Sequence, residues 1–199
     1  MKLKIYLLDI RDLPIEVLLN SKYISLKEKL ELDKYLNEEV KKEKAASMYL
    51  KNKYIGSYFF NEFAKPISNE VCFNISHSHG LLVLIKDKVN IGIDIEKIRD
   101  IEKEVKDYVT SEEEKEYIKD NISFYEIWTS KEALVKAEGR GIKEKLPLIP
   151  SLPINGLITY KDKTYRNITI KYQEYILTVS RESIEKYDIE IIKEVIKEE

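Results

Sequence analysis

Val89-Asn-Ile-Gly-Ile-Asp-Ile-Glu96 is the stretch from which the rest of the chain is read. Ile91, Ile93 and Ile95 alternate with Gly92, Asp94 and Glu96. The period of two predicts a strand with an apolar face and a face carrying two carboxylates. Side chains two apart on one strand face lie about 7 Å from each other, near enough to converge on one hard cation. Gly92 is expected to leave room beside them for a ligand. Oxygen donors favour Mg²⁺, with Mn²⁺ as a substitute. An ordinary sheet with a solvated polar face explains the same pattern, because Asp-x-Glu alone is a weak motif.

Upstream, Val71–Ser76 and Leu81–Ile85 read as two further strands with polar turns between, so the three suggest a meander. Residues 2–9 read as a strand. Residues 26–63 read as one or two charged amphipathic helices, with Leu30, Tyr35, Ala45, Met48, Tyr49 and Ile55 on the buried side. Downstream the theme recurs, with helical stretches at 110–119 and 123–138 and then strands near 156–160, 165–172, 174–180 and 188–195. Helices followed by runs of strands, twice, argue for an α+β fold of two similar lobes. The seam is placed near Gly92, giving an N-terminal lobe of residues 1–91 and a C-terminal lobe of residues 92–199 that carries the carboxylates.

In the helix predicted over 123–138, Trp128, Glu132 and Lys136 recur every four residues on one face. A third carboxylate and a cation thus share one element. An exposed i,i+4 ion pair, worth roughly 0.3–0.5 kcal/mol, is the plainer explanation of Glu132 and Lys136. Phe73-Asn-Ile-Ser-His-Ser78 ends a strand with two hydroxyls and an imidazole beside free backbone amides, a plausible grip for phosphate. His77 also fits a satisfied turn histidine, and His79, followed by Gly80, belongs to the turn.

The 199 residues hold 34 Lys plus Arg against 36 Asp plus Glu, so the net charge of −2 offers no global field for nucleic acid. Any phosphate binding must be local. The first residues contain no apolar run long enough for a signal peptide or a membrane span, so a cytoplasmic protein without a membrane partner is expected. Cys72 is the single cysteine and His77 and His79 the only histidines, which excludes an internal disulfide and makes a His/Cys zinc site a poor fit.

Taken together, Phe73–Ser78, Gly92-Ile-Asp-Ile-Glu96 and Trp128-Thr-Ser-Lys-Glu-Ala-Leu-Val-Lys136 resemble the three signature motifs of the 4′-phosphopantetheinyl transferases of the surfactin-synthetase type. The resemblance implies a pseudo-twofold pair of α+β lobes with the active site between them, coenzyme A as donor, and an apo acyl or peptidyl carrier protein of fatty-acid, polyketide or nonribosomal peptide synthesis as acceptor. A monomer is expected. By motif position Asp94, Glu96 and Glu132 look like the Mg²⁺ ligands, and Lys136 like the cation on the diphosphate. Ser76, His77 and Lys65 look like coenzyme A contacts. Glu132 is the first choice for the base that takes the serine proton, and Glu113 is the second. Glu113 also reads as a helix-start acid behind a Thr110 or Ser111 cap.

Two positions depart from the family pattern. Ala64-Lys65-Pro66 stands where many relatives carry Gly-Lys-Pro, and Ala46 stands where a basic contact near the 3′-phosphate is usual, with Lys44, Ser47 and Lys29 as substitutes. These departures motivate a second reading, a non-catalytic relative that binds coenzyme A or a carrier. A Mg²⁺-dependent phosphohydrolase would suit the same carboxylates but leaves the Ser76-His77 turn without a purpose.

Overall fold

Leu3, Ile5 and Leu7 give β1 (Lys2–Asp9) one continuous apolar face, and Leu8 adds a buried residue on the other. The computed structural model describes residues 1–63, 65–141 and 143–196. After β1 come α1 (Ile15–Leu19), α2 (Leu26–Leu32), α3 (Glu38–Tyr54), the short β2 (Phe59–Phe60) and β3 (Pro66–Ile67), then β4 (Cys72–Ser78), β5 (Leu81–Asp87) and β6 (Ile91–Lys97). The second half has α4 (Lys103–Val109), α5 (Glu112–Tyr117), α6 (Asn121–Glu138), β7 (Leu157–Tyr160), β8 (Lys163–Tyr172), β9 (Tyr175–Arg181) and β10 (Asp188–Lys193). The architecture is α+β. One four-stranded sheet has the order β10-β1-β5-β4 and a second β6-β9-β8-β7, while β2 and β3 pair with each other. All pairs are antiparallel except β1 with β10, so the last strand returns to the sheet of the first.

The sheets face each other through Leu3, Ile5, Leu7, Val83 and Ile85 on one side and Ile91, Ile93, Ile95, Leu177 and Val179 on the other. α3 covers the outer face of the first sheet with Ala45, Ala46 and Leu50 against Leu8, Leu82 and Leu84. α6 covers the second with Phe124, Tyr125, Leu134 and Ala137.

Three expectations are corrected. The strands at 72–78, 81–87 and 91–97 form no meander, because both edges of β5 are taken by β1 and β4. β6 must start the second sheet, where it pairs with β9. The helical region does not run from 26 to 63. Asn37 caps a new helix by accepting the Val40 N–H at 3.1 Å, and Gly56 at φ +77° stops it, as a left-handed residue does at a helix C-terminus. Leu30 and Tyr35 are 62% and 39% exposed. α2 turns Glu28 and Leu32 toward α3, with Glu28 held by Asn52, which leaves Leu30 half a turn away, while Tyr35 lies in the link between helices. Ala45, Tyr49 and Ile55 are buried.

Gly92 serves a different purpose from the one read in the sequence. A Cβ there would stand 2.0 Å from the Ala133 carbonyl oxygen and 2.5 Å from the Ala137 nitrogen. The room it leaves is filled by the backbone of α6, not by a ligand. Since backbone atoms cannot swing aside, Gly92→Ala is expected to destabilise the fold by about 1–3 kcal/mol through overpacking. A thermal melt checks this, and an unchanged Tm would show that α6 can lift from β6 at no cost.

Candidate active site

The close approach at Gly92 brings α6 across the face of β6 that carries Asp94 and Glu96. α6 starts at a capping box of Asp120 with Ser123 and ends at Gly139 in the left-handed region. It is locked down by hydroxyls: Thr129 shares a hydrogen bond with Thr178 at 2.7 Å, which shares another with Thr169 at 2.8 Å, and Ser130 donates to the Ser151 carbonyl at 3.1 Å. A helix fixed in this way holds its outward stripe still. Trp128, Glu132 and Lys136 line a pocket of about 450 Å³ together with Ile75, Ser76, His77, Asp94 and Glu96. A larger cleft of about 780 Å³, lined by residues such as Tyr23, Tyr49 and Lys53, lies away from these carboxylates.

β4 and β6 are edge strands of different sheets that run side by side in the same direction. Their backbones do not pair, and side chains of β4 bridge the gap. Asn74 Oδ1 accepts the Ile93 N–H at 3.0 Å, Ser76 Oγ donates to Asp94 Oδ1 at 2.8 Å, and Ser78 Oγ donates to Glu96 Oε2 at 2.8 Å. Each sheet edge is thereby covered by the other. Lys136 Nζ donates to Asp94 Oδ1 at 2.5 Å and to Ser76 Oγ at 3.1 Å.

Asp94 is 2% exposed, and its buried Oδ2 has no hydrogen-bond partner among the described residues. Burial pushes its carboxyl above the usual range against the opposing pull of Lys136 and Ser76. Glu96 is raised by burial and then by the neighbouring Asp94 charge. Glu132 is raised by burial, with Lys136 pulling it down and Asp94 pushing it up. Three crowded acids against one ammonium make a pocket short of positive charge. Among the described residues no three Asp, Glu, His or Cys side chains stand together closely enough to hold a metal ion as placed. The donor set still fits a hard divalent cation, because three carboxylates line one pocket and Asp94 Oδ2, with no partner among the described residues, has a lone pair that a cation would take.

The remaining candidates fall around this pocket. His77 is exposed at its rim, its Nδ1 3.7 Å from Glu43 Oε2. Lys65 is half-buried and donates to the Lys136 carbonyl at 2.7 Å, so it caps the end of α6 beside Gly139. Burial lowers its pKa. Lys65 is not among the pocket-lining residues. Glu113 is exposed on the first turn of α5 and is likewise not among them. Ala46 is fully buried on the face of α3 that meets the first sheet, and Ala64 lies outside the described residues. His79 sits in the β4–β5 turn with Gly80, both at positive φ.

Sequence reasoning missed the ties behind the site. Lys131 and Glu114 form a buried ion pair at 2.8 Å, and Lys131 also donates to the Leu146 and Ile149 carbonyls. The Ser111-x-x-Glu114 capping box was the available signal for Glu114. The Ser76–Asp94 and Ser78–Glu96 contacts share one sequence offset, which two polar stripes of period two could have revealed.

Residues 90–183 match the model of the 4′-phosphopantetheinyl transferase superfamily. The chain is 32% identical over 111 residues to the 4′-phosphopantetheinyl transferase gsp of Aneurinibacillus migulanus, covering 52% of this chain and 44% of that protein. It is 35% identical over 96 residues to the 4′-phosphopantetheinyl transferase Sfp of Bacillus subtilis (strain 168), covering 44% and 42%. Over 112 residues it is 32% identical to the 4′-phosphopantetheinyl transferase ffp of Bacillus subtilis, covering 52% and 49%. The chain thus matches less than half the length of each of these relatives. The family match includes Asp94, Glu96, Glu132 and Lys136 but not Phe73–Ser78. The similarity of this chain to the 4′-phosphopantetheinyl transferase superfamily is thus carried by residues 90–183.

Proposed function

We propose that the protein transfers the 4′-phosphopantetheine arm of coenzyme A to a serine of an apo acyl or peptidyl carrier protein, with Mg²⁺ held by Asp94, Glu96 and Glu132. The observation that carries this reading is the single pocket in which those acids meet Lys136, Ser76 and His77. Its supports are the family match across 90–183 and the likeness to relatives named as 4′-phosphopantetheinyl transferases.

When bound, the cation would neutralise charge on the diphosphate as it breaks. Glu132 takes the proton from the carrier serine, whose oxygen forms the new bond to the phosphorus bearing the pantetheine arm. The bond from that phosphorus to the bridging oxygen breaks, and adenosine 3′,5′-bisphosphate leaves with the electron pair. Lys136 offsets the charge gathering on that leaving group. Ser76, held between Asp94 and Lys136 in the pocket, and His77, exposed at its rim, contact the phosphates of coenzyme A, and Lys65 holds the end of α6 near them. Glu113 is the alternative base.

The reading extends to the fold. In the first half β1, α3 and the β4–β5 hairpin give the order β1-β5-β4, and in the second β6, α6 and the β8–β9 hairpin give β6-β9-β8. This likeness supports a pseudo-twofold pair of lobes, 1–91 and 92–199, with the site along the β4–β6 seam. The last three residues of the second lobe lie outside the described residues, and β10 is lent to the first sheet. A cytoplasmic monomer with neither nucleic-acid nor membrane partners completes the proposal. Among the described residues no helix is long and apolar enough to cross a membrane.

The test is incubation with coenzyme A, Mg²⁺ and several apo carriers, followed by intact-mass analysis. A carrier heavier by one phosphopantetheine arm is the expected result. Coenzyme A binding with no carrier modified would favour the non-catalytic relative. Lys136→Met is expected to lower kcat/KM by well over tenfold, more than about 1.4 kcal/mol of transition-state stabilisation. Unchanged kinetics with a lower Tm would reduce Lys136 to the ion-pair partner of Asp94.

A further inference from the structure

We propose that Ser78 is a positioning residue for the cation site, acting through Glu96 without touching substrate; this rests on the metal reading above. Ser78 is 6% exposed and is not among the pocket-lining residues, so its hydroxyl is not placed to meet coenzyme A. Its Oγ has three polar neighbours: Glu96 Oε2 at 2.8 Å, the Lys97 nitrogen at 3.2 Å and His79 Nδ1 at 3.1 Å. A hydroxyl has one proton and two acceptor sites. The Lys97 N–H can only donate and an ionised Glu96 can only accept, so the single proton goes to Glu96. His79 must then present Nδ1–H, which fills the second acceptor site. The hydroxyl has no freedom left, and its bond fixes where Glu96 Oε2 lies.

Ser76 does the same for Asp94 one step along both strands. Each serine ties one carboxylate oxygen and leaves the other, Asp94 Oδ2 and Glu96 Oε1, without a hydrogen bond among the described residues. Outer-shell hydroxyls that orient a ligand in this way commonly govern metal affinity. The Asn74-x-Ser76-x-Ser78 stripe is therefore a rail that presents the acids of β6, and its serines face carboxylates.

The test is calorimetry with Mn²⁺ alone on the wild type, Ser78→Ala, Ser78→Cys, Ser78→Thr and Glu96→Gln, together with the Ser78→Ala/Glu96→Gln double variant. Ser78→Ala is expected to weaken Mn²⁺ binding about 10- to 100-fold. Ser78→Cys, of similar size but a poor donor, should match it even if the alanine variant folds badly, and Ser78→Thr should restore binding. In the Glu96→Gln background the alanine should add nothing, because its effect runs through Glu96. Unchanged affinity with only a lower Tm, or a full extra loss in that background, would overturn the proposal. No Mn²⁺ binding by the wild type would overturn the metal reading itself, and this proposal with it.

Discussion

Asp94→Ala is expected to abolish carrier modification, by about a thousandfold or more, or roughly 4 kcal/mol in the barrier, while leaving the protein folded. Asp94 sits where three constraints meet: it is buried on β6, its Oδ1 is held by Ser76 and Lys136, and its Oδ2 has no partner among the described residues. Removing the carboxylate takes away the most deeply placed ligand of the proposed cation. The fold should survive because the lost charge was poorly solvated, and the Lys136 side chain, 29% exposed, can turn to water.

The same burial gives the stability a pH dependence, measured in EDTA. Burial raises the Asp94 carboxyl in the folded protein. Between the unfolded and folded pKa values the native state binds the extra proton, so unfolding free energy falls as pH rises through that window. Asp94→Asn lacks this slope while keeping the shape and an oxygen for Ser76. Relative to wild type it should gain Tm from about pH 4 upward, starting at the ordinary carboxylate value. Full transfer activity in Asp94→Ala would sink the metal assignment, and a variant that loses Tm as pH rises would mean that the Lys136 pair outweighs burial.

What was legible in the sequence was periodic and local. The period of two placed Asp94 and Glu96 on one face of β6, and the period of four placed Trp128, Glu132 and Lys136 on one stripe of α6. What lies opposite a face is set by distant chain. Gly92 looked like room for a ligand because nothing near it in sequence reveals the Ala133 carbonyl. Likewise, the meander failed because β5 had already spent its free edge on β1, a partner more than seventy residues upstream. The return of β10 to β1 is non-local in the same way. The serines of β4 carry a local pattern but a long-range purpose. They were read as a phosphate grip from the strand end, and what the sequence could not show is that Ser76 and Ser78 also face the carboxylates of another sheet.

Glu132→Gln separates a base from a mere ligand, and its expected outcome is a loss of at least about a hundredfold in kcat that neither raised Mg²⁺ nor Mn²⁺ restores. Glutamine keeps the shape and one oxygen donor but cannot accept a proton, so a pure ligand role predicts rescue by added metal. The placement favours the base role. Glu132 lines the pocket, burial raises its pKa, and it carries no hydrogen bond among the described residues that would occupy its oxygens. A carboxylate raised toward neutrality is a better proton acceptor than an ordinary one. Wild-type kcat should therefore fall on the acid side of its pH profile as Glu132 becomes protonated, and the Gln variant should lose that limb. Glu113, exposed on α5 and outside the pocket lining, should leave the limb in place when changed to Gln. A Glu132→Gln enzyme that keeps the acid limb while Glu113→Gln removes it would move the base to α5, and would require that helix to close over the pocket once the carrier is bound.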